Sequence, residues 1–140
     1  MKDTIARLVN ILHRTLFTAS KGRIAGTGFG MPVLMLTTTG RKSGQKRSTM
    51  LTSPLQDGDK VVIIASYGGD HRHPAWFLNL RDNPDVEITM GGETRKMRAH
   101  VAGGDERAEL WPRVTKDHSN YADYQTKTDR EIPVVVLEPA

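Results

Sequence analysis

The 140-residue chain carries 20 Lys/Arg against 16 Asp/Glu, a formal net charge of +4, and no cysteine. One domain is expected at this size; disulfides and thiolate metal sites are excluded, and no leader or long apolar run marks a secreted or membrane-spanning protein, so a cytoplasmic location is expected. The charge is lopsided: residues 1–56 hold nine cations and one acid, residues 57–140 eleven cations and fifteen acids, which points an anionic ligand or surface at the first part.

Residues 3–20 read as an amphipathic helix, with Ile5, Leu8, Val9, Leu12, Leu16 and Phe17 at helical spacing. Its apolar stripe either packs on the domain or, because its polar face is basic, lies on a membrane surface. Gly26-Thr27-Gly28-Phe29-Gly30-Met31-Pro32 is glycine-rich and irregular, and is predicted to be a loop. Residues 33–39 and 47–55 then read as two strands.

The stretch between those strands, Gly40-Arg41-Lys42-Ser43-Gly44-Gln45-Lys46-Arg47, places four cations in eight residues. No acid occurs between Asp3 and Asp57 to neutralise them. A turn of this kind offers backbone N–H groups, a hydroxyl and charged donors to one anion, such as a phosphate. It is not a P-loop, since the Gly-x-x-x-x-Gly-Lys-Ser/Thr order is missing. The alternative is a solvated hairpin.

Gln56-Asp57-Gly58-Asp59 carries a hairpin signature, and residues 60–66 form a strand whose Val61-Val62-Ile63-Ile64-Ala65 run predicts burial on both faces. Tyr67-Gly68-Gly69-Asp70 at its end suits a binding loop. A helix begins at Pro74, with Trp76, Phe77 and Leu80 on its apolar face, and ends by Asn83-Pro84. His71 and His73 lack a third ligand at metal spacing, so no metal is expected.

Residues 86–90 and 94–101 alternate around a Gly91-Gly92 turn. Asp105 is expected to cap a helix over 106–116. His118, Tyr121 and Tyr124 follow at i, i+3 and i+6; if helical they share a broad face, either packed or walling a polar-aromatic pocket. Residues 132–137, opened by Pro133, close the chain as a strand. About six mostly antiparallel strands with three or four helices make a mainly β, α+β fold, most economically a small barrel with peripheral helices.

Read together, Leu36-Thr37-Thr38-Thr39-Gly40-Arg41-Lys42-Ser43-Gly44, Arg47, Ala65-Ser66 with Gly68-Gly69, and Pro74-Ala75-Trp76-Phe77-Leu78-Asn79-Leu80 resemble the deazaflavin-dependent nitroreductase family. Tyr121-Ala122-Asp123-Tyr124-Gln125 and Arg130-Glu131-Ile132-Pro133-Val134-Val135-Val136-Leu137 extend the likeness from about residue 33 to the end. The resemblance implies a split β-barrel of the flavin-reductase, FMN-binding type over residues 33–140. Its cofactor would be coenzyme F420, an 8-hydroxy-5-deazaflavin with a phosphate and a polyglutamate tail, rather than FMN. It assigns Arg41, Lys42, Ser43 and Arg47 to the anionic tail, and Ala65, Ser66, Pro74, Ala75 and Trp76 to the ring system. Tyr121, Tyr124 and His118, with Ser66, would stand nearest the chemistry. Two residues depart from the pattern: Met50 stands where the family usually has proline, and His118 where the nitroreductase that names the family has a tyrosine.

The implied reaction is hydride transfer from reduced deazaflavin to an activated alkene, a quinone or a nitro compound, which needs no metal, triad or paired acids. A non-catalytic F420 carrier is the alternative. A nucleic-acid binder fits poorly, because Tyr121 and Tyr124 lie in the acidic part of the chain. Monomer and homodimer both remain open.

Overall fold

The computed structural model describes Thr27–Gly28 and residues 31–140. The expected helix at 3–20 and its possible membrane contact lie outside the described residues. Among the described residues, eight antiparallel strands form one sheet: β1 (Thr27–Gly28), β2 (Met31–Thr39), β3 (Lys46–Thr52), β4 (Leu55–Asp57), β5 (Lys60–Ile64), β6 (Asp85–Met90), β7 (Glu93–Ala102) and β8 (Val134–Pro139). The described residues also hold three α-helices: α1 (Ala75–Asp82), α2 (Gly104–Asp117) and α3 (Asn120–Thr126).

The sheet runs β1-β2-β6-β7-β8-β5-β4, with β3 paired to β2. β3 and β4 are joined through Ser53-Pro54 but form no ladder with each other among the described residues. The sheet is therefore a split β-barrel, as the resemblance implied. Ser53, fully buried, stitches the corner: its Oγ donates to Val62 O at 2.6 Å, and its own N–H reaches Pro32 O at 2.9 Å.

Two apolar cores result. Val61 and Ile63 of β5 and Val135 and Leu137 of β8 point into the barrel with Leu34, Leu36, Ile88 and Met97, and Phe77 and Leu80 of α1 plug it. The alternate residues Val62, Ile64, Val134 and Val136 pack outward against Leu110 and Val114 of α2 and Tyr121 of α3. The continuous apolar run of β5 is thus buried on both faces, as expected.

Several expectations need correction. Residues 26–32 are not all loop, because Thr27–Gly28 pairs with Met31 and Pro32. The strand foreseen over 47–55 breaks at Ser53-Pro54, where proline supplies no N–H to a ladder, and Leu55–Asp57 belongs to a separate hairpin whose turn is Gly58-Asp59. β5 stops at Ile64, so Ala65 and Ser66 lie beyond it, although Ala65 N still donates to Pro133 O. α2 starts at Gly104 with Gly103 as N-cap; Asp105 sits inside its first turn, where an acid favours the dipole, and caps nothing. Pro74 caps α1 in extended geometry and is not its first helical residue.

Candidate functional site

The β2–β3 hairpin has a loop of residues 40–45, closed by Gly40 N→Gln45 O at 2.7 Å and Gly44 N→Gly40 O at 2.8 Å, with Gly44 at φ +71°. Ser43 Oγ turns back to accept Gln45 N–H at 3.2 Å. The loop is tight at Gly40: a Cβ there would lie 2.8 Å from Ser43 Oγ and 3.2 Å from Gln45 O, so Ser43 would have to turn away. Arg41, Lys42, Ser43, Lys46 and Arg47 are all exposed. Among the described residues, no carboxylate lies within ion-pair distance of these four cations.

One residue ties this loop to the rest of the site. Asn79, on α1 and only 5% exposed, accepts Arg41 N–H at 3.1 Å and Arg41 Nη1 at 3.4 Å on its Oδ1, while its Nδ2 donates to Thr38 Oγ1 at 3.2 Å. The same helix begins with the predicted ring-flanking residues. Pro74 is buried, Ala75 exposed, and Trp76 half-buried against the barrel core with its ring edge-on to Phe77.

Ala65 is fully buried and Ser66 is 9% exposed. Both carbonyls accept from Arg130 Nη2, at 3.2 and 2.9 Å. Tyr67, Gly68 and Gly69 then follow at φ +47°, +64° and +86°. A tyrosine at positive φ is uncommon and strained, and strain of this kind gathers at functional sites. Asp70 closes the segment. Its carboxylate takes the side chain and N–H of Arg72, which hold its pKa down at about 2.

The aromatic cluster divides. Tyr121 is 5% exposed in the outer core, its hydroxyl 3.4 Å from Thr52 Oγ1 and donating to Met31 Sδ at 3.6 Å; burial pushes its pKa up. Tyr124 is half-buried, edge-to-face with Tyr121 at 6.1 Å, with Lys127 Nζ 5.7 Å from its ring centre. His118 lies outside both helices, in the junction between α2 and α3, where its N–H caps Val114 O and its carbonyl accepts Tyr121 N–H. The three rings therefore do not share one helical face.

Contacts link the predicted groups in a chain. The hairpin meets α1 through Asn79; His73, before α1, meets the 65–70 segment through Arg130; and Gly69 packs against α3 so closely that a Cβ would lie 2.9 Å from Tyr124 O. Neither Asn79 nor Arg130 carries a local sequence signal for these contacts beyond one. A polar residue on the apolar face of the Trp76-Phe77-Leu80 helix was the one available signal for Asn79.

The family model of the F420H(2)-dependent quinone reductases matches residues 11–139. The chain belongs to that family. An F420H(2)-dependent quinone reductase of Mycobacterium tuberculosis H37Rv is 44% identical over 133 residues, covering 90% of this chain and 87% of that one. A solved F420-H2 dependent reductase is 41% identical with TM-score 0.68, covering 76% of this chain and 94% of its own. A structure described as a domain-swapped dimer is 36% identical with TM-score 0.70, covering 91% and 96%.

The residues present fit an F420-type cofactor. Unopposed exposed cations around a glycine-pinned loop suit a ligand with several negative charges.

Proposed function

We propose that this protein reduces quinones with reduced F420. Arg41, Lys42, Lys46 and Arg47 would hold the anionic tail, Ser43 would stiffen the loop beneath it, and Asn79 would keep that loop against α1. Ala65, Ser66, Pro74, Ala75 and Trp76 would flank the ring, with Trp76 and the buried Pro74 keeping water from one side. When bound, the reduced deazaflavin supplies a hydride.

The protein's own contribution to the chemistry is orientation and charge stabilisation. Hydride arriving at a quinone leaves negative charge on an oxygen, and a proton must follow to give the hydroquinone. The Tyr124 hydroxyl, on the less buried of the two rings, is the proposed donor to that oxygen. Tyr121 would support Tyr124 through its edge-to-face contact, and His118 would shape the acceptor side from the α2–α3 junction. Activated alkenes and nitro compounds are alternative acceptors of the same hydride.

The observation that carries this reading is the set of four hairpin cations with no carboxylate partner among the described residues. Four cations exceed what the single phosphate of FMN can use, whereas a polyglutamate tail can occupy them. Titration of F420 and FMN at physiological salt tests it: F420 should bind more tightly, and equal or tighter FMN binding would refute the choice.

The domain-swapped relative supports a homodimer here, which light scattering would check. Among the described residues no helix is long and apolar enough to cross a membrane. Peripheral contact through residues 3–20 rests on their sequence pattern alone.

A further inference from the structure

Arg130 lies on the connection between α3 and β8, and its guanidinium reaches two separate parts of the chain. Nη2 donates to Ala65 O and Ser66 O at 3.2 and 2.9 Å, Nε to Asp70 O at 2.9 Å, and Nη1 to His73 Nδ1 at 3.1 Å. Its own backbone is fixed from behind: Gln125 Nε2 donates to Arg130 O at 2.7 Å, and Gln125 Oε1 accepts Ile132 N–H at 2.9 Å. Ser66 and Asp70 are the two ends of the positive-φ turn through Tyr67, Gly68 and Gly69. A strained turn keeps its shape only when its surroundings hold it, and here one side chain bridges both ends.

We propose that Arg130 is a positioning residue for the reaction, setting the 65–70 segment in place through three carbonyls and locking it to the start of α1 through His73. The proposal rests on the reading above, in which that segment flanks the cofactor ring. Only a planar guanidinium offers donors in enough directions to serve these four acceptors; a lysine ammonium delivers its donors from one point.

The lock requires a neutral His73, because Nδ1 accepts a hydrogen bond only when it carries no proton. His73 faces Arg130 from the α3–β8 connection, and Arg81 and the Phe77 ring from α1; on its own segment Asp70 is paired with Arg72. Burial and the two arginines hold its pKa below 6.5, so the lock is intact at neutral pH and opens as acid protonates the imidazole.

The test compares wild type with Arg130→Met, Arg130→Lys and His73→Asn. Amide exchange over residues 67–70 is measured in ligand-free protein; melting temperature, F420 affinity against salt, and turnover of reduced F420 with a soluble quinone are measured alongside. Arg130→Met should speed exchange of those amides by ~10-fold or more. It should lower kcat by ~10-fold or more without changing the salt slope that the hairpin cations set, and Arg130→Lys should recover part of the loss. In His73→Asn the amide oxygen takes the place of Nδ1 without titrating, so the fall of kcat on the acid side should be smaller than in wild type. Wild-type exchange and kcat in Arg130→Met, a lowered melting temperature with kcat of the folded protein unchanged, or an unaltered acid limb in His73→Asn would each overturn the positioning role. A wild-type protein that neither binds F420 nor oxidises its reduced form would instead refute the reading beneath it, and the proposal with it.

Discussion

Asn79 fixes Arg41 at both its main chain and its guanidinium, 3.1 and 3.4 Å from one amide oxygen, and so fastens the cationic hairpin to the helix that carries Trp76 in its first turn. Removing that amide strands the Arg41 N–H and the Thr38 hydroxyl at a buried junction. Asn79→Leu should cost about 1–3 kcal/mol of stability and weaken F420 binding without touching a charge. Denaturant unfolding paired with F420 titration checks both effects.

Lys42→Ala and Arg47→Ala should each weaken F420 binding by roughly 1–3 kcal/mol if they make charge-assisted bonds to the tail. Affinity in the wild type should fall steeply with added salt, because these cations are exposed. Wild-type affinity in both variants would reduce the loop to a solvated turn.

The two tyrosines should part company. Tyr124→Phe keeps the ring and removes the proposed donor, so turnover should drop by about 10². Tyr121→Phe should cost about 0.5–1.5 kcal/mol of stability, because its hydroxyl serves Thr52 and Met31 inside the outer core. Turnover and melting temperature of both variants, measured with a quinone and a nitro acceptor, separate the roles. Full turnover in Tyr124→Phe would return that residue to packing.

Gly69→Ala should destabilise the fold by about 1–2 kcal/mol or more, since alanine at φ +86° is strained and its Cβ would press on Tyr124 O. Thermal unfolding reads the loss directly.

Asp70 adds an acid-side signature. Its folded pKa of about 2 lies below the ordinary 3.8, so the pairing with Arg72 stabilises the protein above pH 3.8 and is lost as pH falls through 2. The stability difference between wild type and Asp70→Asn should shrink across that window.

Much of the barrel is legible in the chain. The run Val61-Val62-Ile63-Ile64 announces a strand between two cores, and Gly91-Gly92, at φ +61° and +82°, announces its hairpin. The break at Ser53-Pro54 is masked by strand-forming residues on either side of it, and the corner is made by a hydroxyl reaching Val62, nine residues on. The cationic hairpin stands out because no acid occurs nearby in sequence. Asn79 and Arg130 stay hidden, since Asn79's partners are 38 and 41 residues away and Arg130's are 57 to 65 away, distances that local pattern cannot carry. Tyr121 and Tyr124, at i and i+3, do share a face of α3 and touch edge to face, but which of the two rings is buried depends on the outer core packed against them, with Met31 and Thr52 at the Tyr121 hydroxyl, and those partners are distant in sequence.

The central claim is catalytic use of F420, and anaerobic mixing of reduced F420, a soluble quinone and the purified protein tests it most directly. The absorbance of oxidised deazaflavin should appear at a rate proportional to protein, saturating in quinone and slowed in Tyr124→Phe. Tight binding of reduced F420 with no oxidation above the protein-free rate would contradict it and make the protein a carrier.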